Sequence, residues 1–149
     1  MNKFEVRALI LAGAIMIVFL CSLLYNVWNR NINVPACVPL SAQKTYFQNP
    51  GLKKIDDSTY DLYVVAQMWQ FTPAEVDVPV NSTVTVFLTS KDVVHGFLVD
   101  RKAVNLMAIP GAINTATIHF TKAGTYRMIC HEYCGTGHQG MEGYFKVTE

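Results

Sequence analysis

From Ala8 to Trp28 the chain reads ALILAGAIMIVFLCSLLYNVW, a run without one charged side chain, and nothing else in it restricts the fold so strongly. About 20 apolar residues at a rise of about 1.5 Å each cross a hydrocarbon core of about 30 Å. The run therefore predicts one transmembrane helix inside an anchor at residues 1–30. Lys3 and Arg7 precede the run while Arg30 alone follows it closely. That bias favours a cytoplasmic N-terminus, and Trp28 stands where interfacial aromatics prefer to lie. The remainder of the chain is then expected on the periplasmic or extracellular side of the cell membrane, tethered to the lipid bilayer by a single pass. A cleaved signal peptide competes with this reading. Its apolar core would run about 7 to 15 residues and close promptly on a small-x-small site, which this run does not do. Val34-Pro35-Ala36-Cys37 has a faint likeness to a lipoprotein cleavage site but lies too far from the run.

At 149 residues the chain has room for that anchor and one modest domain. Twelve Lys and Arg stand against eleven acidic residues, so no overall field draws it to nucleic acid. Residues 31–57 hold three prolines and no sustained period, which suits a tether. The domain is expected over 58–149, as short strands at Leu62–Gln70, Thr83–Thr89, Gly96–Val99, Thr115–Phe120, Thr125–Cys130 and Tyr144–Val147. Turn signals at Pro79-Val80-Asn81, Pro110-Gly111 and Ala123-Gly124 separate them. Many short strands with no helical period between them imply an all-β sandwich or barrel.

Chemistry concentrates in one segment, Cys130-His131-Glu132-Tyr133-Cys134-Gly135-Thr136-Gly137-His138-Gln139-Gly140-Met141. Two thiols, two imidazoles and a thioether fall within twelve residues, and three glycines there disfavour a regular helix and suit a tight loop. Soft sulfur with imidazole selects copper or zinc over hard cations. Cys134, His138 and Met141 follow the order of a mononuclear blue-copper loop, with His95 as the remote histidine. Cys130 is then surplus, whereas two bridging thiolates hold two copper ions close enough to share an electron.

The pattern CxExCxxxHxxM resembles the CuA-binding signature of cytochrome c oxidase subunit II. The likeness runs from about Leu62 to the C-terminus and includes Asp92–Phe97 and Ile109-Pro110-Gly111. It implies a cupredoxin β-barrel and a binuclear copper centre, CuA. Cys130 and Cys134 would bridge both ions, His95 and His138 each cap one, Met141 ligate weakly, and Glu132 contribute its backbone carbonyl. The implied role is to accept electrons from cytochrome c or a similar donor and pass them to haem in subunit I, where oxygen is reduced and protons are pumped. The subunit itself would hold no catalytic residue. Relatives carry an aromatic cluster over the copper that receives the electron, which places Trp69 and Phe71 in that role.

The single anchor is similar to the short form of the subunit in B-type oxidases. Where two-helix relatives carry a Lys-x-Asp pair before Ala-Ile-Pro-Gly, this chain has Asn105-Leu106-Met107. The Glu132 side chain resembles one that helps bind magnesium at the border with subunit I in two-helix forms. Those forms dock cytochrome c on an acidic face. Here, removing Lys3, Arg7, Arg30 and Glu5 leaves nine cationic against ten acidic residues, so docking is expected to be largely apolar and weakly salt-dependent.

Other readings stand beside these. A Cys130–Cys134 disulfide suits an oxidising compartment. A structural Cys₂His₂ zinc site would use His95, His138 and both cysteines but leave Met141 unexplained. A CuA subunit of a membrane nitric oxide reductase and a copper-delivery or storage protein are functional alternatives. A quinol oxidase subunit II lacks the copper ligands, and nitrous oxide reductase is a much longer soluble chain. Trp69 also fits a core aromatic, His119 a solvated strand residue, and His131 a surface side chain beside the site. Cys21 packs as a small hydrophobe. Cys37 is open between a free thiol, a lipidated one and a bridge to another subunit.

Overall fold

The computed structural model describes residues 2–29, 36–39 and 44–149, in two units, Met1–Asn33 and Val34–Glu149. In the first unit the uncharged run, free of proline, forms helix α1 over Lys3–Asn29. Asn2 caps it by accepting the Phe4 N–H on its side chain at 3.2 Å, while Glu5 accepts the Asn2 N–H at 2.7 Å. None of its residues is buried by protein, and it is long and apolar enough to cross a membrane.

Among its described residues the second unit is all β apart from two short 3₁₀ turns. Its strands are β1 (Ala36–Pro39), β2 (Gly51–Lys54), β3 (Thr59–Gln67), β4 (Gln70–Thr72), β5 (Glu75–Pro79), β6 (Ser82–Ser90), β7 (His95–Val99), β8 (Val104–Ala108), β9 (Ala112–Phe120), β10 (Gly124–Ile129) and β11 (Glu142–Thr148). One sheet has the order β1-β9-β6-β3-β2, with β4 paired to β3, and the other β5-β11-β10-β7-β8. Two pairings, β3 with β6 and β5 with β11, are parallel, because the chain crosses between sheets before returning.

Alternation decides which residues face inward. In β5 Val76 and Val78 are buried between exposed Glu75, Asp77 and Pro79, and β11 repeats the pattern with Gly143, Phe145 and Val147. The two inner faces meet in a core around Leu62, Leu88, Phe97, Phe120, Met128 and Phe145. Phe120 packs on both Tyr126 and Phe145, with ring centroids 5.1 and 5.0 Å apart. Asn81, at the predicted Pro79-Val80-Asn81 turn, adopts φ 65°, a conformation asparagine tolerates better than most residues.

Two expectations differ from what is observed. The stretch expected as a tether joins the sheet, since β1 pairs with β9 and β2 with β3, while residues 31–35 and 40–43 lie outside the described residues. Aromatic stacking explains the attachment. Tyr46 lies on Tyr63 at 5.1 Å, Tyr63 on Phe87 at 4.9 Å, and Lys53 Nζ sits 4.2 Å from the Tyr46 ring centre. The predicted strand Leu62–Gln70 is instead a hairpin: Gln67 pairs with Gln70, so Met68 and Trp69 form its turn.

Parallel pairing of Ala66 with Ser90 brings the β3–β4 turn to the same end as the β6–β7 loop, and β7 against β10 brings the segment 130–141 there too. This end of the sandwich rests on close backbone packing at Gly143. A Cβ on that residue would lie 2.6 Å from the Ala74 carbonyl oxygen and 2.7 Å from Met128 Cε. Gly143→Ala is expected to cost about 1–3 kcal/mol by overpacking, read as a lower denaturant midpoint for the detergent-solubilised chain. Gly140→Ala, which meets nothing within 4 Å, serves as the near-neutral control.

Candidate metal centre

Strands β10 and β11 form a hairpin in which Ile129 pairs with Glu142, and Cys130 extends the ladder by donating its N–H to the Met141 carbonyl at 3.1 Å. The twelve-residue segment is thus pinned at both ends. Within it Gly135 takes φ 115°, a turn that side-chain-bearing residues rarely adopt, and a 3₁₀ turn covers His138–Gly140. These bends fold the donors inward. The Cys130 and Cys134 sulfurs lie 3.7 Å apart and are not bridged as a disulfide. From Cys134 Sγ, His138 Nδ1 is at 3.6 Å and Met141 Sδ at 3.8 Å, while the Glu132 carbonyl oxygen is 3.3 Å from Cys130 Sγ. Both cysteines and Met141 are buried.

His95 opens β7 and is fully buried, and one of its ring nitrogens lies within 4.8 Å of both cysteine sulfurs. Its Nε2 lies 2.8 Å from Asp92 Oδ1. Burial pushes the Asp92 carboxyl up, but hydrogen bonds from His95 and from the Met68 and Val93 amides outweigh it and hold the group at about 2. A carboxylate only accepts, so Nε2 carries the proton and Nδ1 keeps a free lone pair. That Nδ1 is the buried side-chain nitrogen or oxygen with no partner among the described residues. An unsatisfied buried acceptor beside two thiols is costly unless a cation fills the space.

The chemistry of the donors agrees with copper. Two thiols, two imidazoles, a thioether and a carbonyl form a soft set, and six donors exceed the four that tetrahedral zinc takes. Burial, then the hydrogen bond and charge of Cys130, push the Cys134 thiol up to about 11. At neutral pH it is therefore protonated, and a metal must displace that proton to bind.

All six residues expected as ligands come together here. Trp69 lies beside them, its Nε1–H donating to the Cys134 carbonyl at 3.1 Å, and 42% of it is exposed. Phe71 does not share that surface, because alternation in β4 turns it into the core at 1% exposure, edge-on to Phe97. His131 is exposed, with its ring against Gly96. His119 is an exposed strand residue, as its phase predicts. Sequence reading assigned no role to Asp92, which also accepts the Met68 N–H at 2.7 Å and so ties the β3–β4 turn to His95. An acid three residues before a ligand histidine was the available signal.

Comparison with known proteins agrees with this geometry. The family model described as cytochrome C oxidase subunit II, periplasmic domain, matches residues 54–146. A cytochrome c oxidase subunit 2 from Thermus thermophilus is 39% identical over 90 residues, covering 60% of this chain and 67% of that one. A chain of a heme-copper terminal oxidase dimer solved by cryo-EM superposes with a TM-score of 0.84 at 38% identity, over 97% of this chain and 99% of that one. Rusticyanin from Thiobacillus ferrooxidans, 20% identical with a TM-score of 0.51 over 78% of this chain and 98% of its own, shares the fold alone and marks it as cupredoxin-like.

Because Asp92 orients His95, Asp92→Ala is expected to weaken copper binding by about 10- to 100-fold. Competition against a chelator of known affinity measures this, and unchanged retention would remove Asp92 from the site's support.

Proposed function

The chain belongs to the cytochrome c oxidase subunit II family, and from that premise we propose that it carries the binuclear CuA centre of a haem–copper oxidase and receives electrons there from cytochrome c. The observation that supports this most is the convergence of two free thiols 3.7 Å apart with His95, His138, Met141 and the Glu132 carbonyl. Cys130 and Cys134 would bridge two copper ions, with His95 and His138 as end ligands and Met141 and the Glu132 carbonyl as weaker ones. Bound there, such a centre takes up one electron and gives it on.

What the chain's residues contribute is a site that need not rearrange. The hairpin fixes both ends of the ligand loop, and Asp92 fixes the His95 ring. Burial of both cysteines and Met141 excludes water, so little solvent reorients when charge changes. Trp69 places its indole between solvent and the Cys134 backbone, which makes it the residue to meet a donor. Phe71, buried behind, would support the turn rather than touch a partner. Met68, Val93, Val94 and Tyr133 join Trp69 among the exposed large apolar residues of these loops. That apolar rim suits a donor held with little help from charge.

In this reading the subunit holds no catalytic residue. It passes electrons to haem in subunit I, where oxygen is reduced and protons are pumped, and α1 anchors it so that the β domain faces the periplasm or cell exterior. Glu132 is exposed, which leaves its carboxylate available for a magnesium ion at the border with subunit I.

Copper loading of the full chain in detergent is expected to give two coppers per chain and an electron spin shared between them, with protons released as the metal displaces them from the thiols. Cys130→Ser should leave a mononuclear or heterogeneous site without the shared-spin signal. One copper in the unaltered chain, or two with an unchanged spectrum in the variant, would refute the bridging role. In the assembled oxidase, Trp69→Ala should slow reduction by cytochrome c at low and high salt while the copper spectrum persists. Stopped-flow mixing reads the rate, and an unaltered rate in a folded variant would return Trp69 to packing alone.

A further inference from the structure

The geometry points to Gly137 as a positioning residue, the seat that lets the Trp69 indole lie on the ligand loop and reach the Cys134 carbonyl. A Cβ built on Gly137 would lie 2.5 Å from indole Cδ2, 2.7 Å from Cγ and 2.8 Å from Cε3. Those distances are below any real carbon contact, so any larger residue forces the ring away. At Gly135 the added atom would lie 3.1 Å from Nε1 and 3.2 Å from Cζ2. The indole therefore spans both glycines, with its donor edge over Gly135 and its opposite edge over Gly137.

The two glycines are needed for different reasons. Gly135, at φ 115°, is required by the backbone whatever lies above it. Gly137 has φ −94° and ψ 6°, in the bridge region that residues with side chains occupy in type I turns. Its missing side chain answers only to the space the indole occupies. Moving the ring breaks the Nε1–H donation to Cys134 and opens a gap between the exposed aromatic and the ligand backbone. Gly137 has no side-chain donor atom to offer a metal, and it acts through Trp69.

The functional half of this inference rests on Trp69 receiving the electron, so the test has two arms. The chain has two tryptophans, Trp28 and Trp69, and a Trp28→Phe background isolates the second. In the copper-free full chain in detergent, Gly137→Ala is expected to shift Trp69 emission to the red and increase its quenching by acrylamide. In the assembled oxidase the same substitution should slow reduction by cytochrome c to the level of Trp69→Ala. The double variant should be no slower than either, since both remove one contact. Circular dichroism confirms the fold. If Gly137→Ala destabilises the domain, that cost should vanish in the Trp69→Ala background, where no indole remains to displace. Unmoved emission and quenching in Gly137→Ala would overturn the seat. Displaced emission with an unaltered reduction rate would overturn Trp69 as the electron receiver while leaving the seat in place.

Discussion

The Cys130 N–H donates to the Met141 carbonyl at 3.1 Å, and this one backbone bond converts a glycine-rich segment into a closed loop. It continues a ladder of six residue pairs between β10 and β11, so the loop's two ends inherit the rigidity of a sheet whose inner face is core. A segment with Gly135, Gly137 and Gly140 would otherwise sample many conformations, each costing backbone entropy to order. Closing it on the sheet means that most of this cost is met by burial of Phe145, Met128 and their neighbours rather than by the metal.

Three loops then share one end of the sandwich, and polar contacts join them together with the packing of the Trp69 ring on the loop glycines. Asp92 is the centre of that junction, accepting from His95, from the Met68 amide and from the Val93 amide. Its carboxyl stays ionised because three donors more than offset the penalty of burial. Trp69 makes a second junction by donating to Cys134. Among the described residues His95 Nδ1 has no hydrogen-bond partner, and burial makes the Cys134 proton hard to remove. A soft cation bound there would relieve both features, which would link its binding free energy to the folding free energy of this end of the domain.

The same end carries the exposed apolar side chains Met68, Trp69, Val93, Val94 and Tyr133. Leaving such groups in water is unfavourable, and they come from the three loops gathered at this end. An apolar rim above a buried, prearranged donor set is the arrangement expected where a partner must approach closely, react without rearranging the site and leave again.

The sequence by itself determined the long apolar helix, the β character of the domain and which sulfur and imidazole side chains meet at its loop end. Each is written in local pattern: an uncharged run longer than a bilayer core, apolar alternation, and two cysteines, a histidine and a methionine at fixed spacing. Tertiary structure decided what local pattern cannot carry. Strand β4 has three residues, too short for alternation to identify it. The attachment of Tyr46 and Lys53 to Tyr63 depends on rings separated in sequence. Phe71 and Trp69 are two residues apart, yet one enters the core and the other stays at the surface, because the hairpin turn falls between Gln67 and Gln70. Asp92 and Gly137 acquire their roles only when the β3–β4 turn folds over the ligand loop. Hydrogen-bond partners and steric clearance are properties of groups brought together in space, and spacing along the chain signals them only for near neighbours such as Asp92 and His95.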